Sequence, residues 1–536
     1  MIIARLNCRK YLFEILISLA LVYPLFSWSY ILFIKYFNIG FSYPFGWDSP
    51  RYLADGNYIA LYGIVSFLEN SSRFNIVIPI LFAIVKVLSG TLYQKISIIC
   101  SIILIILVPL SYFYIIIRKE KGLLAFASIG VFFLLPSSII LYSGLYEQLV
   151  GIILMIFLFY SLEKIELENA SRKKVRYSLF AGVLLLFLWL SHKETFILAG
   201  STWAIRLMFL TLFDRESIKK IVDKNKLYIL TFVMWLILNL IYIFYINKKY
   251  IDHFLLNLEN VSQTRRDFTV ERFIFIGFGS YVLFVLYIIG VLISLINKEI
   301  RRKYWYFNVW NLLLLILIIF TPPIYRELKY RASYIIPVTL FVTICLYWTY
   351  KRFSKFHIQL SFFRYKRCCL RGGIPALFVL LLLLYVFNSP AIETVGESQL
   401  RTWGMKTAED KLFFDLLEQV RTKISSDKNV SSITILLTQS NYHSKYVLVN
   451  YILSYVPAQV IDCTDIKLSV FKLLDYKNQC KPLLTNWYGI EFVGHIPSEN
   501  TRIIVILGKL SLVDGERPEC AFYLTNDFGC IITISK

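Results

Sequence analysis

The side chains of this 536-residue chain that are best suited to chemistry are few, and they gather at the ends of long apolar runs. Asp48 stands in Tyr43-Pro44-Phe45-Gly46-Trp47-Asp48-Ser49-Pro50-Arg51-Tyr52-Leu53, between Trp47 and Tyr52 and close to Arg51. Glu147 follows in Tyr146-Glu147-Gln148, and His192 and Glu194 in Ser191-His192-Lys193-Glu194. Arg326, Lys329 and Arg331 come directly after Thr321-Pro322-Pro323-Ile324-Tyr325. A carboxylate at a lipid–water boundary can take a proton during a reaction on a membrane-borne substrate. Three cations in six residues can hold an anion. A polyprenyl phosphate or pyrophosphate is the natural candidate, because guanidinium grips phosphate oxygens in pairs. Glu147, His192, Glu194, Trp47, Tyr52 and Arg51 would orient the reactants. No cofactor is implied with certainty; a divalent ion, if one is used, would draw on Asp48, Glu147 and His192. Each residue also has a plain structural reading. Asp48 can be a solvated loop acid, Glu147 an acid favoured by a helix N-terminus, and His192 a packing side chain.

These residues need a frame that brings loop ends together, and composition says what kind. The chain is 57% hydrophobic with a mean hydropathy of +0.62, well above the apolar share of ordinary globular domains. Its net charge of +22 lies in short Lys/Arg runs between apolar segments. That pattern sets topology in a membrane and argues against a nucleic-acid partner.

Apolar segments long enough to cross a bilayer predict about eleven membrane helices, with the N-terminus inside and the C-terminus outside. The first covers Tyr11–Ile34, and the outer loop at 35–95 carries the Asp48 segment. Residues 74–90, interrupted by Pro79 and Lys86, read as a juxtamembrane helix at the outer interface, because a crossing there would put Arg118–Lys121 on the wrong side. Further spans follow at Ile96–Ile117, Leu123–Tyr142, Leu149–Leu162, Tyr177–Leu190, Thr195–Phe213, Leu227–Ile246, Phe273–Ile296, Tyr304–Phe320, Tyr334–Tyr350 and Ile374–Phe387. In this register every chemically capable residue named above falls at an outer end. Arg326, Lys329 and Arg331 break the positive-inside pattern there, which either marks an anion site or a misplaced span. Arg206 is either near the inner interface or a buried pair partner.

Pro50, Pro44 and Gly46 predict a shaped loop around Asp48. The domain division is a membrane module over 1–388 and a small α/β domain outside the membrane over 389–536. In the latter, β-like runs at Ser432–Leu437, Gln459–Asp462, Arg502–Leu507 and Cys530–Ile534 accompany helical stretches near Ala408–Lys423 and Tyr446–Tyr455. Cys463, Cys480, Cys520 and Cys530 lie here, an even number compatible with two disulfides in any of three pairings.

Together these features resemble the GT-C superfamily of membrane glycosyltransferases, of the protein mannosyltransferase and aminoarabinose transferase type. Phe45-Gly46-Trp47-Asp48-Ser49-Pro50-Arg51-Tyr52 looks like that family's first-loop motif with its essential acid. Tyr146-Glu147 stands where a second outer acid falls. Ser191-His192-Lys193-Glu194 resembles a His-x-Glu element, and Lys329-Tyr330-Arg331 before Tyr334-Ile335-Ile336-Pro337 a late arginine motif. The resemblance covers about residues 1–390 as architecture and implies juxtamembrane helices within the outer loop at 35–95. Trp-Trp-Asp-Tyr-Gly does not occur, which disfavours an oligosaccharyltransferase. No Asp-x-Asp stands in the second outer loop, and Asp48 is followed by Ser49 rather than Glu.

The resemblance implies an inverting glycosyltransferase of the plasma membrane, with its site on the outer face. It would use a polyprenyl-phosphate (dolichyl-phosphate-like) sugar donor and a glycan, lipid or protein acceptor, with membrane lipids as surroundings. Asp48 would be the general base, and Arg326, Lys329 and Arg331 would hold the lipid phosphate. The rival reading is a multi-span transporter or flippase for a lipid-linked or anionic solute. Transporters commonly place ionisable groups near the midplane within repeats. Here the notable charges sit at one face and no repeat is visible.

Overall fold

A computed structural model of the chain describes residues 49–70, 75–119, 144–167, 171–212, 281–320 and 331–353, six strands between 433 and 533, and scattered single positions. The segment after Asp48 is helical, where the sequence had suggested a continuing loop. Helix α1 (Ser49–Asn70) has Pro50 in its first turn and breaks at Gly63, whose φ of 83° suits glycine. Proline does not stop a helix there, because first-turn N–H groups have no intrahelical acceptor to lose. Residues 49–58 are all buried.

Helix α2 (Val77–Ser89) occupies the stretch expected to lie at the interface. At roughly 1.5 Å per residue it is about 20 Å long, short of a roughly 30 Å hydrocarbon core. It ends at Gly90 (φ 53°), passes through a single 3₁₀ turn (Gly90–Leu92), and gives way to α3 (Tyr93–Lys119). Helix α1 packs on α2 with very little clearance. A Cβ at Gly56 would come within 2.6 to 2.8 Å of the Tyr93 hydroxyl and Phe82, and the Tyr93 hydroxyl donates to the Leu53 carbonyl at 2.9 Å.

The bundle continues with α4 (Tyr146–Leu167), α5 (Ser171–Ser191), α6 (Lys193–Leu212), α7 (Tyr281–Ile296), α8 (Lys298–Lys303), α9 (Trp305–Phe320) and α10 (Arg331–Phe353). Helix α4 packs against α3 and α5, α6 against α9, and α7 against α10. The α7–α10 crossing depends on Gly290, where any Cβ would collide with the Phe341 backbone carbonyl. Hydroxyls inside the bundle are satisfied locally. Ser97, Ser101, Ser161, Thr202, Thr339 and Thr343 each donate to the carbonyl four residues back, which hides the polar group within its own helix. Between α7 and α9, Tyr287 donates to Asn311 at 2.8 Å and Ser294 to Asn308 at 2.9 Å.

Large apolar side chains such as Leu88, Val183, Leu186, Leu292 and Ile296 point outward. Three continuous helical stretches, Val77–Lys119 (α2 through α3), Tyr146–Leu167 and Arg172–Ser191, are long and apolar enough to cross a membrane. An outward apolar surface of this extent is unsuited to water. The chain is an integral membrane protein.

Toward the C-terminus six strands form one mixed sheet: β1 (Ile433–Leu437), β2 (Ala458–Asp462), β3 (Lys481–Pro482), β4 (Ile503–Leu507), β5 (Thr525–Asn526) and β6 (Gly529–Thr533). The order is β3-β2-β1-β4-β6-β5, with β1 parallel to both β2 and β4 and the outer pairings antiparallel. The central strands ITILL and IIVIL are almost wholly apolar. Cys530 lies in β6 opposite Ile506; Cys463, Cys480 and Cys520 lie outside the described residues.

Candidate active site

The first turns of α1 and α4 meet. The Ser49 hydroxyl donates to the Tyr146 hydroxyl at 2.9 Å, and two residues further along α1 the Arg51 guanidinium reaches Glu147 Oε1 at 3.4 Å. Asn75, in the turn before α2, donates to the other carboxylate oxygen at 2.8 Å. Both Arg51 and Glu147 are buried, so the pair works in a medium where charge is poorly screened and partners matter. Glu147 also sits in the first turn of α4, where exposed N–H groups favour a carboxylate. The aromatic packing is continuous: Tyr52 lies 5.6 Å from the Tyr146 ring and stacks on Phe82 at 6.5 Å, and Arg51 caps the Tyr52 face at 4.7 Å.

One turn along α4, Gly151 gives room to the α5–α6 junction. A Cβ there would stand 3.1 Å from both the His192 Cβ and the Thr195 hydroxyl. His192 separates the two helices and caps α6. Its Nδ1 accepts the Thr195 backbone N–H at 3.2 Å and faces the Thr195 hydroxyl at 2.6 Å, while Nε2 reaches Glu194 at 3.2 Å. With Nδ1 accepting the Thr195 N–H, Nε2 is the ring nitrogen placed to donate to Glu194.

Gln148 Nε2 donates to the Ser333 hydroxyl at 3.3 Å, which ties the start of α4 to the start of α10. Arg331 is the first residue of α10, two before Ser333.

The structure therefore brings Arg51, Tyr52 and Glu147 into one cluster, sets His192 and Glu194 one α4 turn away, and places the Arg331 backbone two residues from a contact to Gln148. Asp48, Trp47, Arg326 and Lys329 lie outside the described residues; Asp48 precedes Ser49 by one peptide bond. Of the three side chains considered for a metal ion, Glu147 and His192 already have their coordinating atoms engaged as above. Among the described residues no three His, Cys, Asp or Glu side chains gather closely enough to hold an ion.

Reading the sequence alone missed Asn75, Ser49, Thr195 and the Gln148–Ser333 link. Asn75 was the most findable, as a lone amide opening the apolar run from Ile76.

The opposite end of α4 holds a second polar cluster. Arg206 makes a two-pronged contact to Glu166, at 2.8 Å from Nη2 and 3.2 Å from Nε to the same oxygen. The Tyr306 hydroxyl donates to Glu166 at 2.7 Å, and Trp305 stacks on the guanidinium at 5.1 Å. Lys119 pairs with Glu163 and donates to the Lys303 carbonyl. Of the two options left open for Arg206, it is a pair partner. Glu147 and Glu166 are nineteen positions apart, about 28 Å along a helix, close to the thickness of a bilayer core. The far cluster ties α3, α4, α6, α8 and α9 together.

No family model and no curated protein matches this chain in sequence. Solved structures do match. ArnT from Cupriavidus metallidurans in the apo state aligns over 95% of this chain and 98% of its own, at TM-score 0.55 and 11% identity. The same protein bound to undecaprenyl phosphate aligns over 91% and 94%, at TM-score 0.50 and 10% identity. The Archaeoglobus fulgidus oligosaccharyltransferase in the apo form aligns over 83% of this chain, at TM-score 0.52 and 12% identity, and this chain spans 64% of its length. The chain shares its fold with these two membrane proteins, both GT-C enzymes.

Proposed function

We propose that this protein is an inverting glycosyltransferase that moves a sugar from a polyprenyl-phosphate donor to an acceptor hydroxyl at the outer face of the membrane, with Asp48 as general base. The observation that carries the reading is the clasp between α1 and α4. Ser49–Tyr146 and Arg51–Glu147 fix the helix that begins one residue after Asp48 against an anchored carboxylate. A base is useful only if its position is held, and this clasp fixes the residue that directly follows Asp48.

In the reaction the acceptor oxygen attacks the anomeric carbon from the face opposite the phosphate, and Asp48 takes the hydroxyl proton. The carbon–oxygen bond to phosphate breaks, and the electron pair leaves with polyprenyl phosphate. That leaving group is already a stable anion, so no strong general acid is required. Arg326, Lys329 and Arg331 would neutralise charge growing on it. Arg51 and Asn75 hold Glu147 toward the same end of the bundle, and the His192–Glu194 pair supplies a second fixed carboxylate for sugar hydroxyls. Trp47 and Tyr52 would offer faces for the sugar ring. The ArnT structure bound to undecaprenyl phosphate supports a polyprenyl carrier on this fold.

The topology that accompanies this reading has about eleven spans, with both the site and an α/β domain over 389–536 outside the cytoplasm. Acceptors of glycan, lipid or protein type fit equally. The test is release of polyprenyl phosphate from a panel of sugar donors by the protein in proteoliposomes. Transfer with inversion supports the reading. Movement of intact donor across the bilayer without bond cleavage would establish the transporter reading instead.

A further inference from the structure

Helix α1 is buried all round over its first ten residues, Pro50, Asp55 and Asn57 included. A helix against one neighbour buries a stripe and exposes the rest, so α1 must be walled on several sides. The α2–α3 corner supplies one wall through Phe82 and Tyr93. Helix α4 supplies another through Tyr146 and Glu147. A further contact comes from 396 positions away: Asn57 Nδ2 donates to the Leu453 backbone carbonyl at 2.9 Å, with both residues buried. Leu453 and Val420 also belong to the apolar cluster that contains Tyr52, Leu53, Tyr146 and Leu149.

We infer that the C-terminal segment is a structural wall of the active site, docked on α1, and that Asn57 is the positioning residue that locks it there. Asn57 is suited to this because its amide offers a donor to a carbonyl that any residue at 453 would present. The contact depends on the side chain at 57 and on the path of the chain at 453. The catalytic consequence rests on the glycosyltransferase reading; the docking does not.

The test uses the full chain in nanodiscs with two variants. Asn57→Asp replaces the donor with an acceptor-only carboxylate that repels the Leu453 carbonyl, and Asn57→Gln keeps the amide. Hydrogen exchange is followed in peptides covering 49–58 and 453, with β1 (433–437) as an internal reference, beside steady-state transfer. In Asn57→Asp, exchange is expected to rise about tenfold in the first two peptides and to stay unchanged in β1. The kcat is expected to fall at least about tenfold with donor KM within about twofold, as for a displaced but intact site. Asn57→Gln is expected to recover most of both. Unchanged exchange around 453 would overturn the docking. A rise everywhere with a lowered melting temperature, or equal damage from Asn57→Gln, would reduce Asn57 to general packing and overturn its positioning role. Should the wild type transfer no sugar, the exchange arm still decides the docking, and the failure belongs to the functional reading.

Discussion

Arg51 of α1 and Glu147 of α4 face each other at 3.4 Å, both buried, with Asn75 closing the second carboxylate oxygen at 2.8 Å. Removing one partner of a buried pair leaves the other charge stranded, at a cost of about 3–5 kcal/mol. Arg51→Met is therefore expected to lower thermal stability sharply. The double variant Arg51→Met with Glu147→Gln should regain much of that loss, since no unpaired charge remains. Activity should stay at least about a hundredfold down in both, because the anchor has gone either way. Melting curves and transfer rates on the four corners of this cycle give the answer.

His192 acts through its cap and through Glu194, and substitution can separate the two. Asparagine is a good helix N-cap, so His192→Asn should hold stability near that of the wild type, while His192→Ala should lose about 1 kcal/mol. Both remove the imidazole Nε2 that reaches Glu194; when Asn Oδ1 takes over the cap, its shorter amide does not extend to that carboxylate. If that contact orients sugar hydroxyls, both should raise donor KM by a similar factor. A wild-type KM in His192→Asn would leave the cap as the only role of this residue.

Gly151 and Gly290 are tight in different ways. At Gly151 the neighbours are side-chain atoms at 3.1 Å, which can shift by a few tenths of an ångström. Gly151→Ala should be tolerated within about 1 kcal/mol, whereas Gly151→Leu should displace His192 and Thr195 and depress kcat. At Gly290 the obstacle is the Phe341 backbone carbonyl, which cannot move without separating α7 from α10. Gly290→Ala should cost several times more stability than Gly151→Ala, as measured by melting in detergent.

The far end of α4 provides the contrast. Glu166→Gln weakens the contacts to Arg206 and Tyr306, so it should lower the melting temperature. Lying about 28 Å from Glu147 along the helix, it should leave kcat within about twofold. A large fall in kcat without a fall in stability would show that the two ends are coupled.

Among the described residues, α3 to α7, α9 and α10 coincide with expected spans to within a few residues at most ends, because a membrane helix needs a long apolar run; the expected spans at 11–34, 123–142, 227–246 and 374–387 lie wholly or mostly outside the described residues. Four of the six strands, β1, β2, β4 and β6, likewise fall within about a residue of the expected short apolar runs, since β-rich segments between turns leave a local imprint, whereas the two-residue β3 and β5 carry no apolar run to read. Helix α1 was not legible. Its sequence mixes Arg51, Asp55 and Asn57 with aromatics in no single stripe, which is what enclosure by α2, α3, α4 and the C-terminal segment produces. Amphipathic patterns arise from one-sided burial, and residues 49–58 of α1 are buried without exception. Of the candidate residues, Glu147, His192 and Glu194 were readable by type and by their place at helix ends, while Asp48 lies outside the described residues. Asn75 and the Gln148–Ser333 link were not, because they depend on which turns meet in space.

The central claim is that Asp48 takes the acceptor proton beside the α1–α4 clasp. The most direct measurement compares transfer by the wild type and by Asp48→Asn in proteoliposomes, with donor affinity and melting temperature recorded for both. The carboxamide is nearly the same size but is no base, so kcat should fall by a factor of about 10³ or more, at the upper range of what general bases contribute, with affinity and stability unchanged. Equal kcat in the two proteins would contradict the account and remove Asp48 from the mechanism.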